Sequence, residues 1–234
     1  MTSVDTRPEA GNKTRTPLLR RPWIGPLMLI AAAFMAYSVP RYLTLDPART
    51  NVPAPEGFPQ HYWLLSAHVV FGTVAMTTAC FQIWPAFRNR YPRAHRIMGR
   101  LYVLAGVVPG ALLAVTVGAV SPFGPVVRVA NVLMGLIWLA VTIAGFRAAR
   151  ARRLGDHRRW MIRGFALTFA IITTRFLGVV AAIALYSGDE DLATASLSDV
   201  RVQTFTAIGV WVGFTLHLAL AQLWLDRRNR RRAR

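Results

Sequence analysis

Six long runs of apolar residues, separated by short polar connections, dominate the pattern of this chain. A helix that crosses the hydrocarbon core of a bilayer needs about 20 mostly apolar residues, and each run reaches that length. The pattern therefore predicts an all-α polytopic membrane protein, folded as a bundle of six transmembrane helices. The predicted spans are, in chain order, residues 23–44, 61–84, 99–120, 126–148, 161–186 and 203–225.

The transmembrane domain predicted from these runs covers residues 23–225 and leaves a basic tail on each side. Residues 1–22 are polar and contain three prolines, which favours a disordered cytoplasmic tail. The run at 23–44 is too long for the core of a signal peptide, and no clear small-residue cleavage site follows it. We therefore expect a retained first span. Residues 226–234 form the second basic cytoplasmic tail.

The basic residues are concentrated in alternate connections between the runs. Of the 28 Lys and Arg residues, 23 lie in four segments. Because basic residues favour the cytoplasmic side of a membrane, both termini are predicted to be cytoplasmic. Membrane topology thus explains the formal net charge of +18, and nucleic acid is not an expected partner. The four basic segments are residues 1–22, 85–100, 146–163 and 226–234.

Several classes of function lack the residues that they require. The single cysteine, Cys80, excludes an internal disulfide and a cysteine-based metal site. The sequence contains no Walker phosphate loop, no glycine-rich dinucleotide motif and no H-E-x-x-H zinc motif. His95 and His157 have no third ligand in view, so no metal site is predicted. The scattered acidic residues lie in outer loops or tails, which argues against Ser-His-Asp catalysis.

Small residues at a spacing of four predict where helices pack closely. Gly106 and Gly110 form one such pair in the third span, and Gly209 and Gly213 form another in the sixth. Pairs of this kind let helix backbones approach each other, so a packing role is favoured over a chemical one. Pro109 should kink the third span, because proline removes a backbone hydrogen bond.

Arg175 stands near the middle of the fifth predicted span, and none of the six runs contains Asp or Glu. An arginine at the centre of a membrane helix costs at least about 2.5–3.5 kcal/mol on insertion scales, so it normally faces the protein interior and has a function. Its partner is then a histidine, an amide, a backbone carbonyl, water or a bound anion.

Other polar residues are predicted at a similar depth. With a rise of about 1.5 Å per residue, His68 lies roughly 7 Å from Arg175 toward the outside and His217 roughly 4–5 Å toward the inside. Asn131 lies in the outer half of the fourth span. If their helices face one another, these four residues line one ligand-binding cavity. The alternative is structural: neutral histidines bonded to backbone or Thr groups, with Arg175 held by carbonyl groups.

A second group of polar residues lies at the predicted cytoplasmic surface. The third and fifth spans each begin with a His-Arg pair followed by a further Arg, where exposed backbone N–H groups favour an anion. This pattern predicts an anion or lipid-headgroup site. In the alternative interpretation, these arginines contact lipid phosphates and set the topology. The residues are His95, Arg96, Arg100, His157, Arg158 and Arg163.

These residues carry a resemblance to a bacterial family of multipass membrane proteins, domain of unknown function 2306. The family has a membrane His, a Gln before a basic loop, H-R-x-x-G-R-x-Y, H-x-x-W-M-x-R and a later membrane Arg. The resemblance covers about residues 60–186, leaves out the first and last spans, and does not include His217. It implies residence in the bacterial cytoplasmic (inner) membrane and a role for these residues, but no reaction. The corresponding positions are His68, Gln82, His95 to Tyr102, His157 to Arg163, and Arg175.

Three functions follow from these observations. The first is binding or movement of an anionic or amphipathic small molecule at an intramembrane His/Arg site, by a transporter or by an enzyme acting on a lipid-like substrate. The second is a b-type haem or quinone-linked redox protein. The third is a non-catalytic scaffold subunit. The lipid bilayer is a partner in each case, while enzyme activity and oligomeric state stay open.

The haem hypothesis depends on how the histidines pair. His68 and His217 differ by about 11–12 Å along the membrane normal, which argues against that pair as axial ligands. His95 and His157 match in depth but are predicted at the membrane surface.

Overall fold

A computed structural model describes residues 22–50 and 52–233, and these residues contain helices and no strand. The helices are α1 (Ile24–Ser38), α2 (Pro40–Leu43), α3 (His61–Ile83), α4 (Pro85–Arg90), α5 (Pro92–Arg100), α6 (Val108–Ala119), α7 (Pro125–Arg150), α8 (Leu154–Tyr186) and α9 (Val200–Ala233), with a π-helical segment at Leu101–Val107 and 3₁₀ turns at Pro47–Arg49 and Glu190–Thr194. Nearly all of the N-terminal tail predicted at residues 1–22 lies outside this range.

Five of the described helical segments are long and apolar enough to cross a membrane. They contain between 23 and 33 residues and correspond to the second to sixth predicted spans. A helix of 23 residues is about 34 Å long, which exceeds the roughly 30 Å thickness of a hydrocarbon core. The prediction of an all-α polytopic membrane protein is therefore confirmed.

The first predicted span differs from the other five. Its helix α1 has only 15 residues, and α2 follows as a separate helix of four residues. Pro40 begins α2 and has no N–H to donate to the preceding turn, so the α1 hydrogen bonds end at Val39. The first predicted span, 23–44, is thus represented by two short helices that meet at Val39, and its passage across the membrane stays a prediction.

The core lies between α3, the third span and α8, and is built largely from small apolar residues. Ala75, Val107, Ala111, Leu167 and Ala170 are each 1% exposed or less. Small side chains let the helix backbones come close, which is the usual means of packing helices in a membrane. The helix α8 occupies a central place, since it packs against α7 and α9 and also contacts α1 and α3.

The predicted glycine contacts are confirmed. A Cβ atom added at Gly106 would lie 2.9 Å from Ala75 of α3, and one at Gly209 would lie 2.6 Å from the Thr174 carbonyl oxygen of α8. The distortion expected at Pro109 takes the form of the π-helical segment, which ends two residues before it. Proline cannot donate the hydrogen bond of a regular α-helix, and π-helical turns often accompany such breaks.

The three basic segments that follow the first predicted span lie at one end of the bundle, which we call the Arg-rich end. It contains α4, α5, the connection at 151–153 and the last turns of α9. Arg158 near the start of α8 lies over the ring of Trp224 in α9, which brings two of these segments together. Both long helices extend past their predicted spans here, with α8 beginning at Leu154 and α9 continuing to Ala233.

The connection between α7 and α8 is a Schellman turn closed by an arginine. The N–H of Arg152 donates to the carbonyl of Ala149, and that of Arg153 donates to the carbonyl of Ala148. Arg152 has φ = 58°, in the left-handed region that normally takes glycine. The turn is tight enough to hold α8 close against α7.

Replacing Arg152 by Gly should raise the free energy of unfolding by about 0.5–1 kcal/mol, because glycine adopts the left-handed conformation without the steric cost of a Cβ atom. Thermal unfolding in detergent measures the effect. Arg150→Gly is the matched control, since it removes the same charge within α7 and should lower stability by about 1 kcal/mol. Shifts of the same sign in both variants would contradict the strain at Arg152.

Candidate functional site

Two of the predicted intramembrane residues, His68 and Arg175, lie close enough to interact electrostatically. Arg175 is eleven residues before the end of α8, which places it about 16 Å from that end at 1.5 Å per residue. The Nδ1 atom of His68 lies 2.8 Å from the carbonyl oxygen of Gly110 on α6. Because a carbonyl only accepts, Nδ1 is the donor, and Nε2 of the neutral ring is left to accept a hydrogen bond.

Arg175 makes no hydrogen bond or salt bridge with any other residue that the structure describes. Its side chain is exposed, so the prediction that it faces a closed interior is wrong. The neighbouring helix α1 is short, has only Ile24 and Ala31 buried, and makes a small contact with α8. The guanidinium is therefore exposed on α8 near α1, and we call the surroundings of this side chain the cleft at Arg175.

At the end of the bundle opposite the Arg-rich end, Asp46, Asp189 and Asp199 pair with arginines other than Arg175. Arg201 bridges Asp189 at 2.5 Å and Asp199 at 2.8 Å, and the hydrogen bonds from Arg201 lower the pKa of the Asp199 carboxyl to about 2. Asp46 pairs with Arg49 at 3.4 Å. None of these carboxylates neutralises Arg175, so a counter-ion from the described part of the chain is not in place.

The break at Pro40 adds further polar groups to the cleft. Arg175 interacts electrostatically with Tyr37, Tyr42 and Arg41 of α1 and α2. The Arg41 guanidinium lies 4.9 Å from the centre of the Tyr37 ring and donates to the Tyr37 carbonyl at 3.4 Å. Two guanidinium groups, an imidazole and two phenols thus lie within electrostatic range of Arg175 or belong to it. Sequence analysis missed both tyrosines as site residues, although their place beside Pro40 could have suggested them.

The contacts of His217 and Asn131 are with residues other than His68 and Arg175. His217 bonds through Nδ1 to the carbonyl of Gly213 at 3.0 Å in its own helix, and its Nε2 lies 3.5 Å from the Thr173 hydroxyl. Thr173 is two residues from Arg175 and so points about 200° away from it around α8. Asn131 packs at the α6–α7 contact, where a Cβ atom on Gly118 would lie 2.8 Å from it.

At the Arg-rich end, the two motif histidines join helices. His157 Nδ1 donates to the Gly145 carbonyl of α7 at 2.9 Å, and Gln82 Nε2 donates to the His95 carbonyl at 2.8 Å. His95 and His157 interact electrostatically, while Nδ1 of His95 is buried with no hydrogen-bond partner among the described residues. These contacts tie α3 to α5 and α7 to α8.

The four predicted arginines of this surface have contacts different from those of the histidines. Arg96 and Arg100 are exposed. Arg163 donates to Gln222 Oε1 at 2.7 Å and lies 5.0 Å from the centre of the Trp160 ring. Arg158, already described over Trp224, also contacts α9. A headgroup site formed by these residues stays a prediction.

A buried hydroxyl cluster at the centre of the bundle was missed by sequence reasoning. The Thr168 hydroxyl donates to the Gly164 carbonyl at 2.9 Å, so its oxygen is left to accept. It accepts from Trp138 Nε1 at 3.0 Å and from the Tyr102 hydroxyl at 2.8 Å. Thr168 is seven residues before Arg175 and therefore on the same side of α8. The seven-residue spacing of Thr168 and Arg175 was the sequence feature that could have indicated this position of Thr168.

Chemically, a guanidinium without a carboxylate partner attracts anions, and Nε2 of the His68 ring is an acceptor for a hydrogen bond. Among the described residues, no three His, Cys, Asp or Glu side chains form a group that could hold a metal ion. His68 contacts α6 and His217 contacts Thr173, so this pair does not face a common space as two axial haem ligands would.

Comparison with known proteins finds no curated protein and no solved structure that matches the chain. A family model described as "Predicted membrane protein (DUF2306)" matches residues 65–225. The match covers more than half of the chain and includes His68, Arg175 and both His-Arg motifs. The match continues into α9 as far as residue 225, whereas the resemblance seen in the sequence ended near residue 186. The chain belongs to the DUF2306 family of predicted membrane proteins.

Proposed function

We propose that the cleft at Arg175 and His68 binds an anionic or amphipathic small molecule within the membrane. The observation that carries the proposal is the unpaired, exposed guanidinium of Arg175, which has no carboxylate partner in the described part of the chain. A charge held at this depth is costly unless it meets a counter-charge, so an intramembrane arginine usually marks a ligand or transport site.

The neighbouring groups favour an anion with an apolar body. Arg41 adds a second positive charge, and His68 offers Nε2 to a donor on the ligand. Phe176, Val179 and Ile183 expose apolar surface on the same half of α8, which suits an attached hydrocarbon part. The His68 ring is held by its bond to Gly110, so this group is positioned before the ligand arrives.

We also propose a location and an orientation. The concentration of arginine at one end supports a bacterial cytoplasmic (inner) membrane with both termini in the cytoplasm. Arg175 then lies near the middle of the membrane and His68 lies in its outer half. The cleft would receive its ligand from the bilayer or from the extracytoplasmic side.

Arg175→Leu should abolish ligand retention while leaving the protein folded. Loss of a charge-assisted contact weakens binding by about 10- to 100-fold, and removal of an unpaired membrane charge should leave stability equal or higher. Detergent-purified protein would be analysed by native mass spectrometry for retained anionic molecules. Thermal unfolding and size-exclusion chromatography would report the fold of the same samples.

Arg150→Leu is the matched control, since it removes an exposed arginine at the opposite end of the bundle. His68→Gln is the second test variant and should also reduce retention, because it removes the acceptor at Nε2. Equal amounts of the same anionic molecule on wild type and Arg175→Leu would refute the proposal. So would a wild-type protein that retains no anion lost from the variant.

A further inference from the structure

A groove opens between α7 and α8 at the Arg-rich end, far from the cleft at Arg175. It has a volume of about 360 Å³ and is open to the outside of the bundle. Of its residues only Trp160 belongs to a motif singled out in the sequence, and neither of its arginines was among the predicted site residues. The lining residues are Ala140, Ile143, Ala144, Arg147, Arg153 and Trp160.

Local sequence features set the walls of this groove. A Cβ atom on Gly145 would lie 3.1 Å from Trp160 Cβ, so glycine at this position lets α8 lie against α7. The His157 hydrogen bond to the Gly145 carbonyl fixes the same contact. The Schellman turn at Arg152 then returns the chain within three residues and places Arg153 beside the groove.

The groove has an apolar wall and a cationic mouth. From Arg147 to Ala140, α7 descends about 10 Å into the membrane at 1.5 Å per residue. The wall below the mouth is formed by small or aliphatic side chains, and Ile143 is 37% exposed. Arg147 forms no side-chain hydrogen bond or salt bridge within the described ranges, and Arg153 reaches Asp156 only at 3.8 Å. Both arginines are exposed.

We propose that this groove is a binding site for an anionic phospholipid. The phosphate would lie between Arg147 and Arg153, and one acyl chain would run along Ala140 and Ile143. Trp160 lies at the level where indole rings contact lipid headgroups. Basic pockets between transmembrane helices commonly bind anionic headgroups, and arginine matches the geometry of a phosphate group.

The first test removes the charges at the mouth. Purified full-length protein in micelles with equal amounts of phosphatidylglycerol and phosphatidylcholine would be examined by native mass spectrometry. Arg147→Gln combined with Arg153→Gln should weaken phosphatidylglycerol binding by about 30-fold, at about 1 kcal/mol for each arginine. Arg150→Gln combined with Arg159→Gln is the control of equal charge and should retain binding. Equal losses in the two double variants would overturn the proposal.

The second test separates a lipid from a free phosphate ion. Ala140→Phe fills the apolar wall and leaves both arginines in place, so it should reduce phosphatidylglycerol retention by about tenfold or more, as expected when an acyl chain loses its contact surface. Added inorganic phosphate should not displace the lipid from wild type. Full retention by Ala140→Phe, or displacement by millimolar phosphate, would show an ion site instead and contradict the proposal. Thermal unfolding would verify that each surface variant is folded.

Discussion

Replacing Gly209 by Ala should separate α9 from α8 and prevent recovery of a monodisperse protein. The added Cβ atom would lie 2.6 Å from the Thr174 carbonyl oxygen and 2.8 Å from the Gly178 Cα, both backbone atoms that cannot rotate away. Overpacking of this kind costs about 3 kcal/mol or more where the backbone must shift. Among the described residues, α8 and α9 form the most extensive contact between two helices. The smaller contact of α9 with α7 would therefore not replace it.

Gly178→Ala is the matched control for this prediction, because it adds the same methyl group to the facing helix. Its Cβ atom would lie 3.7 Å from the Phe205 carbonyl oxygen, which is an ordinary contact. Size-exclusion chromatography and thermal unfolding in detergent should show a near-normal Gly178→Ala protein and an aggregated or strongly destabilised Gly209→Ala protein. Similar behaviour of both variants would mean that the helices adjust freely at this contact.

Replacing Thr168 by Val should have the second large effect, a loss of about 1–3 kcal/mol in the free energy of unfolding. Valine has nearly the same shape but no acceptor, so the Trp138 N–H and the Tyr102 hydroxyl each lose their partner. Both groups are buried, at 7% and 3% exposed, and water cannot easily replace the hydroxyl. Individual hydrogen bonds between membrane helices average about 0.6 kcal/mol, so two lost bonds also agree with this range.

Thr78→Val provides the comparison for that variant. Thr78 and Thr168 are both 5% exposed, but the Thr78 hydroxyl bonds only to carbonyl groups of its own helix. Its removal leaves no buried donor without an acceptor. Denaturant unfolding in mixed micelles should therefore show a clear loss for Thr168→Val and a small one for Thr78→Val. Equal losses would indicate that the cluster is no more than three separate contacts.

Much of the fold follows from local sequence. Spans two to six were predictable because the hydrophobicity of about 20 consecutive residues decides whether a helix is stable in a membrane. The glycine contacts of Gly106 and Gly209 were predictable because the spacing of small residues marks a closely packed side of a helix. The helix break at Pro40 was not predicted. The span prediction rested on the hydrophobicity of the whole run, in which a single proline has little weight.

The candidate site was predictable only in part. His68 and Arg175 were predicted as polar residues of similar depth, and the two residues interact electrostatically, but their role as a site stays a prediction. Depth along the membrane normal does not say which way a side chain points around its helix. For this reason His217 was grouped with Arg175, although His217 lies beside Thr173, on another side of α8.

The sequence by itself determined the five long membrane helices from the second predicted span onward, the concentration of arginine in alternate connections, and the presence of an arginine without an acidic partner in its own span. These are properties of consecutive residues. Only the tertiary structure decided that Arg175 opens to a cleft beside α1, that Tyr102, Trp138 and Thr168 share one hydroxyl cluster, and that α7 and α8 form a groove. Spans that are apolar on all sides carry little information about helix rotation, so packing between distant segments sets it.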